Sequence, residues 1–289
     1  MANDILAYAK DVYLANHIDT DYVLGDVSEI LKFPNAELLV GCYPCQGFSQ
    51  GGVRDPSRKI NTLYLEFARA LSVIKPKAFI VENVSGMVRE NFSHLLKDQI
   101  KVFTQAGYRV KHQVLNAADY GVPQMRRRIF LVGIRDDLEV EYSFPEPTHG
   151  LGKPKPHISL REALKWMRHW PDESEFYNKD FHWYYLSRNR RQGWDDVSKT
   201  IVANPRHMPL HPVSPPLIKY GDNDWRFAYE GAARRFSYRE AARIQGFSKE
   251  FVFPNTAKGS LAMRYKVVGN AVPPQLFEAV ANALPDIWD

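Results

Sequence analysis

A short apolar run that ends abruptly at a proline and a cysteine constrains the fold of this chain more than any other stretch. Leu38–Gly41 has the length and composition of a buried parallel strand, and Pro44-Cys45-Gln46 follows it ahead of a glycine-rich loop. In an open α/β sheet, ligands bind outside the carboxyl ends of the strands. We therefore expect Cys45 at the mouth of a site, on backbone stiffened by Pro44, beneath a loop able to close over a ligand.

Apolar runs alternate with segments of helical periodicity through the first 147 residues. This alternation predicts an α/β fold with a doubly wound, Rossmann-like sheet of mainly parallel strands. The sequence predicts strands at 22–24, 38–41 and 78–81, helices at 4–17, 63–74 and 91–106, and a hairpin of 108–115 with 128–134.

The composition of the sequence changes near residue 147. Pro, Trp, His and Arg become frequent there, and the hydrophobic periodicity weakens. Helical spacing returns over 236–247, with Ser237 as the expected cap ahead of Glu240. We predict a catalytic and cofactor-binding domain at 1–147 plus 262–289. A smaller, loop-rich target-recognition domain at 148–261 includes the helix at 236–247.

The composition of the chain indicates the cellular compartment of the protein. The 289-residue chain has only two cysteines, which argues against a disulfide scaffold and for a reducing, cytoplasmic compartment. No apolar run approaches the ~20 residues of a membrane span, and no signal peptide opens the chain. We expect no membrane association.

The basic charge is concentrated in one part of the chain. Residues 150–235 hold 15 Lys or Arg against 10 Asp or Glu, a surplus equal to the whole net charge of +5. Five of the six Trp lie in the same segment. Basic residues mixed with aromatic rings favour contacts with phosphates and bases, although an ordinary basic surface is the plainer alternative.

Cys45 is the first candidate for chemistry, because a cysteine thiolate is a strong nucleophile when its surroundings lower its pKa. Cys42-x-x-Cys45 is also the spacing of a redox dithiol or of half a zinc site. A zinc site needs about four ligands, and the chain has no further cysteine to supply them.

Polar side chains mark two more places in the predicted sheet. Glu82 follows the apolar run 78–81, so Cys45 and Glu82 can point into one cavity. Gln124, Arg126 and Arg128 alternate along the start of a strand and share one face, which indicates a polar site or, alternatively, a solvated edge.

Two acids lie where such folds bind a nucleoside. Asp4 and Asp26 each come just past a predicted or missing strand, and acids at such positions bind ribose hydroxyls or an adenine amino group. Each of them is also an ordinary choice for a helix cap or a turn. The turn at 269–274 precedes the last helix and could bring backbone close to a cofactor.

Taken in order, these motifs resemble those of the DNA (cytosine-5) methyltransferases. Pro44-Cys45-Gln46 resembles the nucleophile motif of that family, and Glu82-Asn83-Val84 resembles its second catalytic motif. The remaining matches are Gln124-x-Arg126-x-Arg128 with the base-contacting motif, 239–247 with the helix after the recognition domain, and 269–274 with the final motif. The resemblance covers the chain outside 148–233.

The resemblance implies that a cytosine is flipped out of double-stranded DNA and attacked at ring carbon 6 by Cys45. It also implies catalytic roles for Glu82, Arg126 and Arg128 on the base, and S-adenosyl-L-methionine as methyl donor. It places the chain in a bacterial restriction–modification system, in the cytoplasm at the nucleoid. The residues implied to bind the cofactor are Asp4, Asp26, Pro44, Leu63, Asn270 and Val272.

The family's first strand and its Phe-x-Gly-x-Gly loop have no counterpart here, since Ala2–Asp4 already resembles the end of the second strand. We hypothesise a truncated chain, or one part of a split enzyme that needs a separate amino-terminal fragment or subunit. The alternatives are a DNA-binding subunit inactive alone, a cytosine-5 RNA methyltransferase and, more distantly, a redox protein.

Overall fold

A computed structural model describes residues 1–44 and 62–288 of the chain. Within those two ranges no helix is long and apolar enough to cross a membrane. Cys45 lies outside the described residues, as do the glycines after it.

The first half of the chain alternates strands and helices, as the apolar periodicity predicts. Its elements are β1 (Ala2–Asp4), α1 (Ala7–Asn16), β2 (Tyr22–Leu24), β3 (Leu38–Gly41), α2 (Tyr64–Ile74), β4 (Ala78–Val84), α3 (Ser93–Gln105), β5 (Tyr108–Asn116) and β6 (Arg127–Arg135).

These strands form two sheets. The larger has the order β3-β4-β6-β5, and β1 pairs with β2 in a separate two-stranded sheet. The β1–β2 and β3–β4 pairs are parallel, whereas β6 runs antiparallel to both β4 and β5. The larger sheet therefore has the predicted mainly parallel strands, since β3, β4 and β5 point the same way and only β6, in the predicted hairpin with β5, is reversed. The short connection from β5 to β6 explains the reversal, because a parallel pair needs a longer crossover.

Helices cover both faces of the larger sheet, which confirms the layered α/β architecture. Alternate residues of β4 point to opposite sides. Phe79 and Val81 pack in one apolar core with α2 and α3, and Ala78 and Ile80 pack in another with the carboxyl-terminal helix.

The second half of the chain is rich in loops up to residue 237. Its elements are α4 (Leu160–Leu164), α5 (Trp183–Leu186), the antiparallel hairpin of β7 (Leu217–Gly221) and β8 (Asp224–Phe227), α6 (Tyr238–Gln245), α7 (Leu261–Asn270) and α8 (Pro274–Asn282). Ser237 and Glu240 form the predicted capping box at the start of α6. A third apolar core joins α1, α4, α6 and α7. The division into domains at 147 and 261 stays a prediction.

Strand β4 is longer than its apolar run. The run ends at Val81, yet β4 continues through Glu82 and Asn83 to Val84. The reason is that β6 supplies backbone partners along this whole length, with Glu82 opposite Phe130 and Val84 opposite Arg128. Glu82 therefore lies among the last three residues of a central strand, as the sequence suggested.

Candidate active site

The candidate active site lies at the edge of the larger sheet where β3 and β4 end and β6 begins. Because β6 is antiparallel to β4, its first residues lie beside the last residues of β4. Arg128 is the diagonal neighbour of Glu82 on the same face of the sheet, within reach of a long side chain. Topology thus brings together two residues that are 46 positions apart in the sequence.

Glu82 and Arg128 form a buried ion pair. Nε of Arg128 lies 2.8 Å from Oε1 of Glu82, and the two side chains are 14% and 9% exposed. Burial raises the pKa of the Glu82 carboxyl, while the charges of Arg128 and Arg126 act against that rise. The net direction is upward, so Glu82 holds a proton at a higher pH than an exposed glutamate does. Such a carboxyl can deliver a proton to a ring nitrogen.

The segment after β3 is fixed beside this pair. The side-chain amide of Asn83 donates to the carbonyl of Tyr43 at 3.1 Å, and the Tyr43 hydroxyl donates to Gln99 at 2.7 Å. Gly41 packs so closely on α2 that an added Cβ would lie 2.6 Å from the Phe67 ring. These contacts bring the backbone that leads to Cys45 to the edge occupied by Glu82. Pro44 is exposed there.

The Gln124–Arg128 motif alternates between two faces, as predicted. Gln124 and Arg126 are buried, whereas Met125 and Arg127 are exposed on the other face. The buried members have different partners. Arg128 pairs with Glu82, while the guanidinium of Arg126 donates to backbone carbonyls, at 2.9 Å to Ile201 and at 2.9 and 3.2 Å to Gly269 and Ala271. Burial lowers the pKa of Arg126 to about 9, which leaves it charged at neutral pH.

The two candidate nucleoside-binding acids lie at the carboxyl ends of the parallel pair β1 and β2. Asp4 ends β1, and its Oδ1 accepts a hydrogen bond from the Leu6 amide at 2.8 Å. Asp26 follows β2 by two residues, is exposed, and accepts from the amide and hydroxyl of Ser28 at 2.9 and 2.8 Å. Both acids are thus oriented by local backbone at one end of the same small sheet.

The other candidate cofactor residues lie at the starts and ends of helices. Leu63 directly precedes α2, and its carbonyl accepts from the amides of Glu66 and Phe67. Asn270 is the exposed last residue of α7, and Val272 packs against the apolar core that contains α8. The turn between α7 and α8 carries both residues.

Sequence reasoning missed the side chains that tie distant segments together at this site. Gln245 donates to Ala271 and accepts from Gln124 at 2.7 Å, and Thr200 donates to the Met125 carbonyl at 2.7 Å. Gln245 falls within 239–247, which the resemblance marked, but no local pattern indicates which partners the side chains of Gln245 and Thr200 take.

Comparison with known proteins decides the family. A family model described as C-5 cytosine-specific DNA methylase matches residues 1–286. The chain belongs to this family.

The relatives of this methylase include type II methyltransferases, as their names state. The chain is 37% identical to the type II methyltransferase M.BspRI of Lysinibacillus sphaericus, with 98% of this chain and 68% of that protein covered. It is also 37% identical to M.BsuRI of Bacillus subtilis, with 98% and 66% covered. The chain thus spans about two thirds of the length of these two relatives.

A solved structure supports the fold. The methyltransferase EhMeth of Entamoeba histolytica superposes with a TM-score of 0.67 at 19% identity, over 99% of this chain and 90% of that one. The methylase described here therefore has the α/β methyltransferase fold.

Proposed function

We propose that this methylase transfers a methyl group from S-adenosyl-L-methionine to carbon 5 of cytosine in double-stranded DNA. We assign it to a bacterial restriction–modification system, acting in the cytoplasm on the nucleoid. The observation that carries the proposal is the buried Glu82–Arg128 pair at the catalytic edge, where burial raises the pKa of the Glu82 carboxyl. A cytosine ring bound there meets both a proton donor and a fixed cation.

The proposed reaction begins when the Cys45 thiolate forms a bond to carbon 6 of a flipped cytosine. Electrons of the carbon 5–carbon 6 double bond move into the ring, and Glu82 protonates ring nitrogen 3. Arg128 holds Glu82 and stabilises charge on the base. When bound, the cofactor would supply an electrophilic methyl group for carbon 5 and would be released as S-adenosylhomocysteine. Loss of the carbon 5 proton to a base re-forms the double bond and expels the Cys45 thiolate, and the proton on ring nitrogen 3 returns to Glu82.

The described residues fit the adenosine part of the cofactor. Asp4 and Asp26 provide carboxylate oxygens at adjacent ends of two parallel strands, which suits ribose hydroxyls and an adenine amino group. We assign Leu63, Pro44, Asn270 and Val272 to the same site. Their roles, like those of the two acids, are part of the proposal.

The basic, Trp-rich segment supports duplex DNA as substrate. Trp183 and Tyr184 are exposed on α5, and the guanidinium carbon of Arg188 lies 5.0 Å from the centre of the Tyr184 ring. Exposed rings beside arginines suit contacts with phosphates and base edges. We assign the reading of DNA sequence to the part of the chain within 148–261.

A covalent trap tests the proposed function. The purified protein is incubated with S-adenosyl-L-methionine and a random-sequence duplex library carrying 5-fluorocytosine, which has no carbon 5 proton to lose. We expect an adduct that survives denaturation and maps to Cys45 by peptide mass spectrometry. Cys45→Ser should form none, and Cys42→Ser, the matched control, should form as much as the unaltered protein.

Other outcomes of the trap favour the alternatives. An adduct on 5-fluorocytidine tRNA but not on duplex DNA would identify an RNA methyltransferase. DNA binding without any covalent adduct would favour a DNA-binding subunit that is inactive alone. Equal loss of function in Cys42→Ser and Cys45→Ser would favour the redox interpretation.

The hypothesis of a separate amino-terminal fragment stays a prediction without support from the comparisons. In the described residues β1–β2 and β3–β4 belong to separate sheets, and Val40 in β3 is 45% exposed. Calorimetric titration of S-adenosyl-L-methionine into the purified chain tests the hypothesis. Micromolar binding without any added fragment would contradict it.

A further inference from the structure

Four segments that are far apart in sequence meet at the buried side chains of Gln124 and Arg126. They are the start of β6, the stretch 198–203, the end of α6, and the turn between α7 and α8. We call the Gln124 and Arg126 side chains, with their hydrogen bonds, the central clamp. Gln124 is fully buried, and Arg126 is 2% exposed.

The first arm of the central clamp holds the stretch 198–203. Gln124 Oε1 accepts from the Ile201 amide at 2.7 Å, and Arg126 Nη1 donates to the Ile201 carbonyl at 2.9 Å. The backbone adds two hydrogen bonds: the Met125 amide donates to the Ser198 carbonyl at 2.8 Å, and the Ser198 amide donates to the Pro123 carbonyl at 3.1 Å. This stretch belongs to the part of the chain to which we assign DNA reading.

The second arm holds the turn between α7 and α8. Arg126 Nη2 donates to the carbonyls of Gly269 and Ala271, and Gln124 donates to Gln245, which itself donates to Ala271. The turn carries Asn270, to which we assign a cofactor contact. The backbones of the two arms also lie in close contact at Gly269 and Ala203. A Cβ added to Gly269 would lie only 2.3 Å from the Ala203 amide nitrogen.

The partners of Arg126 are unusual for a buried cation. The hydrogen bonds of its guanidinium go to neutral carbonyls of two different segments. A planar guanidinium can bridge two such segments at once, whereas a lysine ammonium is a point charge on a flexible stem. Any shift of 198–203 relative to the turn must therefore break or strain these bonds.

We propose that the central clamp couples DNA binding to cofactor binding, with Arg126 as a positioning residue. Ordering of 198–203 by DNA fixes the turn between α7 and α8, and cofactor in its site fixes 198–203 in return. This proposal rests on the proposed function, and it replaces the catalytic role that sequence resemblance implied for Arg126. Arg128, two residues further along β6, remains the arginine that faces Glu82.

The test is a coupling measurement on the full chain. Affinity for S-adenosylhomocysteine is measured by calorimetry with and without saturating mixed-sequence duplex DNA. We expect DNA to tighten this binding on the order of fivefold or more in the unaltered protein. In Arg126→Lys we expect that ratio to fall towards one, with the affinity for each ligand alone kept within about twofold. Arg127→Lys, the exposed neighbour on the opposite face, should keep the full ratio.

Hydrogen–deuterium exchange of the unaltered protein gives a second readout that does not depend on folding of a variant. DNA alone should slow exchange in peptides covering 266–272, and S-adenosylhomocysteine alone should slow it in peptides covering 198–203. Protection confined to each ligand's own segment, or an equal coupling ratio in Arg126→Lys and Arg127→Lys, would overturn the proposal. If DNA is trapped at Cys45 while these coupling results fail, the clamp proposal falls and the proposed function stands. If the unaltered protein neither binds nor methylates DNA, both fall.

Discussion

Nε of Arg128 lies 2.8 Å from Oε1 of Glu82, across two neighbouring strands of the central sheet. The pair is largely hidden from water, and Arg126 adds a second positive charge nearby. Arg128 faces the carboxyl and the charge of Arg126 acts from nearby, and yet burial still raises the pKa of Glu82. Burial and the two arginine charges thus act in opposite directions on the pKa of Glu82, whose carboxyl lies beside the segment that leads to Cys45.

Glu82→Gln should slow methyl transfer on the order of 10²- to 10⁴-fold, because an amide cannot deliver a proton to the cytosine ring. Single-turnover transfer from labelled S-adenosyl-L-methionine measures the effect. Glu37→Gln is a suitable control, since Glu37 pairs with Lys77 at 3.0 Å but is 58% exposed. A rate for Glu82→Gln within a few-fold of the unaltered protein would exclude the proposed proton transfer.

The contribution of Glu82 to stability should fall as pH rises. Its pKa is raised in the folded state, so the folded protein binds a proton that the unfolded chain has already lost. The free energy of unfolding should therefore decrease from about pH 4.3, the ordinary value for glutamate, up through the folded pKa. Denaturant titrations of the unaltered protein and Glu82→Gln between pH 4 and 9 measure the difference. Parallel pH profiles would contradict the prediction.

Removing Arg128 alone should destabilise the fold more than removing the whole pair. Arg128→Met leaves the buried Glu82 carboxylate without its closest partner, at a cost of about 3–5 kcal/mol. Adding Glu82→Gln removes the stranded charge and should recover part of that loss. A double-mutant cycle by chemical denaturation gives the coupling energy. Additive effects of the two substitutions would show that the ion pair carries no coupling.

A second buried pair should hold the start of α6. Arg234 donates to both carboxylate oxygens of Glu240 at 2.7 Å, and both side chains are at most 1% exposed. Arg234→Met should cost about 3–5 kcal/mol in the free energy of unfolding. Arg239→Met on the same helix should cost no more than about 1 kcal/mol, because Arg239 is 45% exposed in its pair with Glu175. Equal costs would mean that burial does not decide the strength of these pairs.

Asp26→Asn should weaken cofactor binding with little effect on folding. Asparagine keeps the side-chain oxygen that accepts from Ser28 but loses the charge offered to the cofactor. A loss of about 1.5–3 kcal/mol, the value of a hydrogen bond to a charged group, corresponds to roughly 10- to 150-fold in affinity. Calorimetry with S-adenosylhomocysteine measures it, with Asp21→Asn as a control at an exposed position. Unchanged affinity would remove Asp26 from the site.

The sequence by itself determined the order of elements and the chemistry they carry. Apolar runs located β2, β3 and the core of β4, and the Ser237–Glu240 spacing located the start of α6, because burial periodicity and capping are local properties of the chain. The alternation of Gln124 to Arg128 likewise predicted which side chains are buried. Motif order then identified the family, which the match over residues 1–286 shows.

Only the tertiary structure decided which of these side chains meet. The insertion of β6 between β4 and β5 placed one antiparallel strand in the larger sheet, extended β4 past Glu82, and brought Arg128 to that carboxyl. The same packing directed Arg126, two residues away, to the carbonyls of Ile201, Gly269 and Ala271. Local sequence cannot distinguish the two arginines, because strand order and long-range backbone partners depend on the packing of the whole sheet.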